Sequence, residues 1–80
     1  MHLGQVTPGS RCRVAKIDNA NPEILNRLYA LGVFPGVAIE VLRYAPLGDP
    51  IQLKVGRTLL SIRKLEAEVI DIEMLSAEAA

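Results

Sequence analysis

Glycine and proline cut this chain into short pieces, and that punctuation leaves room only for short elements. Thr7-Pro8-Gly9-Ser10 predicts a turn, with proline setting φ at its second position and glycine supplying a positive φ at its third. Beyond it, Cys12, Val14 and Lys16 alternate with Arg11, Arg13 and Ala15 as far as Ile17, the pattern of a strand with one wet face. Asp18-Asn19-Ala20-Asn21 ends that strand. Asn21 followed by Pro22 marks a helix start, because asparagine caps free amides and proline suits the first helical position. The helix runs to about Leu31 and stops at Gly32, a residue tolerant of the left-handed cap conformation. Pro35-Gly36 makes another turn.

Val37 to Tyr44 then sets Val37, Ile39 and Val41 on one face and Ala38, Glu40 and Leu42 on the other. After the break Ala45-Pro46-Leu47-Gly48-Asp49-Pro50, Ile51, Leu53 and Val55 alternate with Gln52 and Lys54. Gly56-Arg57 is a two-residue hairpin connection that favours a primed turn with glycine first, and Thr58 to Ile62 pairs back. Arg63 to Glu68 holds one helical turn at most. Val69 to Glu73 is a last strand with Ile70 and Ile72 inward. Residues 1–75 are expected to form one domain and residues 76–80 a frayed tail. Five short strands with one helix inserted after the first predict a small, mainly β, partly open barrel, whose closure hides strand edges.

Eighty residues suffice for one core. It must be aliphatic, since the chain has no tryptophan and its only aromatics are Tyr29, Phe34 and Tyr44. Cys12 is the only cysteine, so no internal disulfide forms, which fits a reducing compartment. No apolar run approaches the ~20 residues that span a bilayer, and the opening MHLGQVTPGSR lacks the features of a signal peptide. These points predict a cytoplasmic protein.

Formal net charge is zero, yet all nine basic residues lie at or before Lys64, and from Glu66 onward only acids occur. Either the acidic end offsets the body, or a basic face meets an acidic protein or a membrane surface.

Chemistry-bearing residues are sparse. Nucleophilic catalysis would require the one histidine and the one cysteine to meet an orienting acid. His2 is expected on a mobile terminus and Cys12 inside the sheet, so the chain reads as no enzyme. There is no phosphate-cradling glycine loop. No His, Cys or carboxylate pair has close ligand spacing, and Glu66 and Glu68 are expected to form a solvated end, so neither metal nor other cofactor is predicted. Arg11, Arg13, Lys16, Arg43, Lys54, Arg57, Arg63 and Lys64 could line a basic face for nucleic acid. The shortage of stacking aromatics and the neutral balance speak against that.

Three segments in order resemble the FeoA family, the small component of bacterial ferrous iron uptake systems. They are Leu28-Tyr29-Ala30-Leu31-Gly32-Val33-Phe34-Pro35-Gly36, Arg43-Tyr44-Ala45-Pro46-Leu47-Gly48-Asp49-Pro50 and Leu60-Ser61-Ile62-Arg63-Lys64-Leu65-Glu66-Ala67. The resemblance covers roughly residues 3 to 73; only Ile62 departs slightly, where leucine is commoner. It implies an SH3-like barrel without catalytic residues. It also implies a cytoplasmic role in transition metal homeostasis, binding the cytosolic part of a large GTP-binding transporter and meeting the membrane only through it. Similar domains end some metal-dependent transcriptional repressors, so a stand-alone module regulating metal-dependent transcription or binding nucleic acid is the alternative. Self-association stays open.

On this reading the helix and one loop are the candidate docking surface. Ile24, Leu28 and Leu31 share a core-facing stripe, while Leu25 and Tyr29 widen the apolar arc to roughly 160°, beyond the ~100° that a surface helix needs. Leu25, Leu28 and Tyr29 are therefore expected to form a docking edge, unless the strands wrap the whole arc. Tyr44, Pro46, Leu47 and Asp49 belong to a proline-stiffened loop that either presents Leu47 at low entropic cost or packs over the open barrel end. Arg63 and Lys64 are candidate ionic helpers. Phe34 is expected to be a lid on the core.

Overall fold

The fold is known from a computed structural model, which describes residues 1–18 and 21–76. A short 3-10 turn at Leu3–Gln5 leads into β1 (Arg11–Ile17), followed by α1 (Pro22–Ala30), β2 (Ala38–Tyr44), β3 (Ile51–Val55), β4 (Thr58–Ile62), the single-turn α2 (Lys64–Ala67) and β5 (Ile70–Ser76).

The turns form where glycine and proline place them. Ser10 N donates to Thr7 O (3.1 Å) and Val37 N to Phe34 O (3.2 Å). Gly56 has φ 62° while no described non-glycine residue has a positive φ, which is the pattern of a type II′ hairpin turn between β3 and β4.

All strands pair antiparallel in the order β4-β3-β2-β1-β5. The barrel stays open, with β4 and β5 as its edges rather than partners. Each edge is met at one point by something other than a strand: Arg27 of α1 donates to Ser61 O on β4 (3.4 Å), and Ile72 N of β5 donates to Met1 O (3.0 Å).

Alternation sets the core. Cys12, Val14, Ile39, Val41, Ile51, Leu53, Ile62 and Ile70 are at most 1% exposed, joined by Leu3 and Val6 from the N-terminal segment and Leu28 from α1. No aromatic ring is fully buried there, as the composition requires.

Three expectations need correction. Lys16 does not point inward: the register jumps between Val14↔Ile72 and Lys16↔Asp71, a bulge that turns Lys16 out to pair with Asp71 (3.8 Å) and swings Ile17 towards the core. The last strand does not stop at Glu73 but runs on to Ser76, because β1 offers partners at Cys12↔Met74 and Arg11↔Ser76. Ser76 thus closes a strand rather than opening a tail; residues 77–80 lie outside the described residues. Finally, the N-terminus is tied down. His2 Nδ1 accepts from Gly4 N (3.1 Å), His2 N donates to Gln5 Oε1 (2.9 Å), and His2 bridges to Asp71.

The charge asymmetry of the sequence is partly undone by this topology. Acidic β5 lies beside basic β1, with Arg13 opposite Glu73 and Lys16 opposite Asp71.

Candidate partner-binding surface

Both ends of α1 are fixed by sequence. Asn21 Oδ1 accepts from Glu23 N (2.9 Å) beside Pro22 at the first turn. At the other end, Val33 N donates to Leu28 O (2.9 Å) and Gly32 N to Tyr29 O (3.0 Å), with Gly32 at φ 90°. This is a Schellman cap, whose hallmark is an apolar contact between the residues that flank it. Here those residues are Leu28 and Val33, both fully buried.

The cap decides which neighbouring side chains remain outside. Leu28 belongs wholly to the core and cannot be part of a docking edge. Leu25 is half-buried, and Tyr29 is 51% exposed. Phe34, the first residue after the cap, is no lid: it is 43% exposed, with its ring 6.1 Å from that of Tyr29 and tilted by 41°. Sequence reading missed Phe34 as a surface residue. The signal was present in the Leu28–Gly32–Val33 spacing, since burial of Val33 directs the next side chain outward.

The loop after β2 is tightly organised. Ala45 N donates to Pro50 O (3.0 Å), Gly48 N to Ala45 O (2.7 Å), and the Asp49–Pro50 peptide is cis. Asp49 Oδ1 accepts from Lys64 N (3.0 Å), so a loop carboxylate caps the first turn of α2. Tyr44 faces inward instead of joining a surface. Its hydroxyl donates to Val6 O (2.7 Å) and lies 3.1 Å from Gly4 O, clasping the N-terminal turn. Desolvation, and secondarily the neighbouring Cys12 thiol, push the Tyr44 phenol pKa upward. What the loop presents is Pro46 and, above all, Leu47, which is 94% exposed.

α2 holds a group that sequence reading misplaced. Glu66 is not solvated: at 2% exposure its Oε2 lies 2.6 Å from Arg27 Nε and its Oε1 accepts from Arg63 N (2.8 Å). A glutamate three residues into a helix commonly reaches back to the cap amide, and the spacing Arg63-x-x-Glu66 carries that signal. Glu68 is exposed, as are Arg63 and Lys64.

These contacts divide the predicted surface in two. At ~100° per residue, Arg27 and Tyr29 point about 160° apart on α1. The Arg27 flank faces α2, where Glu23, Ile24, Arg27, Arg63 and Glu66 line one depression. The Tyr29–Phe34 flank faces away. The loop joins the α2 side through Asp49–Lys64, and among the described residues no hydrogen bond or ring contact joins it to the aromatic pair.

Neither candidate nucleophile is poised for chemistry. Cys12 is fully buried and its thiol is pushed up to about 11 by desolvation; the thiolate, which is the nucleophile, is then scarce at neutral pH. His2 Nδ1 is occupied by Gly4 N. Among the described residues, no three His, Cys, Asp or Glu side chains converge on a metal-sized site, and no helix is long and apolar enough to cross a membrane.

An open five-stranded barrel with one inserted helix and two separate apolar displays defines a small SH3-like module. Comparison supports that class and then narrows it: the FeoA domain family matches residues 1–74, and the chain belongs to the FeoA family. It is similar to the FeoA protein of Chlorobium tepidum in solution, with 38% identity and a TM-score of 0.86 over 99% of this chain and 74% of that one. The zinc complex of Stenotrophomonas maltophilia FeoA, described as a prokaryotic SH3 domain protein, matches with 26% identity and a TM-score of 0.78 over 91% and 89% of the two chains. An Fe(2+) transport protein A/Fe(2+) transporter FeoB fusion protein of Porphyromonas gingivalis is 25% identical over 79 residues, which is 99% of this chain but 9% of that protein's length.

Proposed function

We propose that this chain is a non-catalytic accessory of bacterial ferrous iron uptake that works in the cytoplasm by binding the cytosolic part of a large GTP-binding iron transporter. The observation that carries this reading is the Porphyromonas gingivalis fusion, in which a counterpart of this whole chain and the transporter are one polypeptide. Fusion raises the effective concentration of two modules without any new contact, and is productive where the modules already work together. Family membership and the scarcity of reactive groups support the accessory role.

The Tyr29–Phe34 flank with half-buried Leu25 is the leading contact. Two exposed rings on a rigid helix cap supply apolar area with little ordering cost. Leu47, with Pro46 beside it and Arg63 and Lys64 on the adjoining helix turn, is a second contact on the other side of α1. The test is complementation of iron uptake in cells lacking the chain, with co-purification of the transporter as a second readout. Tyr29→Ala is expected to abolish both while leaving the thermal midpoint nearly unchanged. Full uptake and undiminished co-purification with Tyr29→Ala and Phe34→Ala combined would overturn the assignment.

A further inference from the structure

The cations that neither helix uses collect on the sheet face turned away from the core. Arg11 on β1, Glu40 on β2 and Lys54 on β3 stand opposite one another across the ladder, and Leu59 on β4 stands opposite Lys54. Arg11 and Lys54 flank an open depression of about 340 Å3 that also contains Glu40 and the hairpin glycine Gly56. A second, more apolar depression on the same strands is lined by Leu42 and Leu59, the latter 69% exposed. Arg57 adds a further exposed cation at the hairpin turn.

These cations differ from the others on the sheet. Lys16 is paired with Asp71, Arg13 donates to Gly36 O and Arg43 to Gln52 Oε1. Among the described residues, Arg11, Lys54 and Arg57 make neither an ion pair nor a side-chain hydrogen bond. Two unengaged cations flanking one carboxylate, with a third at the adjoining hairpin turn and an exposed leucine on the next strand, complement a ligand that alternates carboxylates with branched apolar side chains. We infer that this face binds an acidic, leucine-bearing segment of a partner protein, through Arg11, Lys54 and Arg57 for the charges and Leu59 for the apolar contact. A lipid surface fits less well, because interfacial binding favours aromatic anchors and the exposed rings, Tyr29 and Phe34, lie on the helix side of the core. Nucleic acid fits less well for the same lack of stacking rings. The inference is independent of the transporter reading, whose leading contact is the Tyr29–Phe34 flank of α1.

The test is fluorescence anisotropy of a labelled synthetic peptide alternating Glu and Leu, titrated with the full chain. Binding is expected to weaken about tenfold between about 50 and about 500 mM salt, as screened charge pairs require. It should weaken at least about tenfold in Lys54→Glu/Arg57→Glu, with Lys54→Gln/Arg57→Gln intermediate. Leu59→Ser should weaken it without altering the salt dependence, and Tyr29→Ala should leave it unchanged. Circular dichroism confirms folding of each variant. Absence of peptide binding, equal binding by the charge-reversed chain, or an equal loss in Tyr29→Ala would overturn the proposal. So would tighter binding to phosphatidylcholine–phosphatidylglycerol vesicles or to duplex DNA than to the peptide.

Discussion

The two flanks of α1 are built from the same nine-residue helix and serve opposite ends. On the flank facing α2, Arg27 meets the buried carboxylate of Glu66 and reaches on to Ser61 O, so its guanidinium is engaged within the fold although the side chain is half exposed. On the other, Tyr29 and Phe34 touch each other and otherwise face outward. A helix whose apolar arc exceeds what its own core covers has surface to spare, but only where no second element has already been enlisted. Here α2 is enlisted by one side, and the spare area falls on the other.

If that division is right, substitutions should sort by flank, and the core residue between them sets the upper mark. Leu28→Ala, which empties a fully buried site, should cost about 2–5 kcal/mol in urea or thermal unfolding. A cost below about 1 kcal/mol would mean that α1 is only loosely docked. Arg27→Met should come next, at about 2 kcal/mol, because it leaves the Glu66 carboxylate buried without its guanidinium. The double variant Arg27→Met/Glu66→Met should recover part of that loss, and a double variant no better than the single would deny the pair its structural role. Alkaline titration gives an effect of similar size. Cys12 holds its proton up to about 11 in the folded chain against 9.0 in its absence. Folding stability should therefore be intact below pH 9.0 and fall by about 1.4 kcal/mol per pH unit between there and about 11. Tyr44 adds a loss of the same sign, and Cys12→Ala should flatten the Cys12 share of the slope. On the outward flank, Tyr29→Ala should change stability by less than about 1 kcal/mol while iron uptake fails. Smallest of all, Leu47→Ser should leave the unfolding midpoint where it is, since its side chain is 94% exposed, so any phenotype reports binding.

Much of the fold was legible because it depends on local pattern. The alternation of Ile39 and Val41 and of Ile51 and Leu53, the Gly56 hairpin and the Asn21–Pro22 start all rest on neighbours within a few residues. What escaped depends on distant partners. The bulge that turns Lys16 outward exists only against β5, and Glu66 is buried only because Arg27, 39 residues away, reaches it. The exposure of the candidate site was half legible: the width of the helical arc pointed to Tyr29, which is exposed, whereas Tyr44 looked like surface until the N-terminal turn came to lie beneath its hydroxyl. His2 was misplaced for the same reason, since nothing in a sequence shows that the first residues bridge to Asp71.

The bond from Lys64 N to Asp49 gives the loop after β2 a mechanical character. Leu47 sits two residues from that clasp, and Glu66 sits two residues beyond it on the other side. The loop that displays Leu47 is thus anchored to the same short helix turn whose glutamate pairs with Arg27, so one four-residue element fastens both the loop and α1 to the sheet.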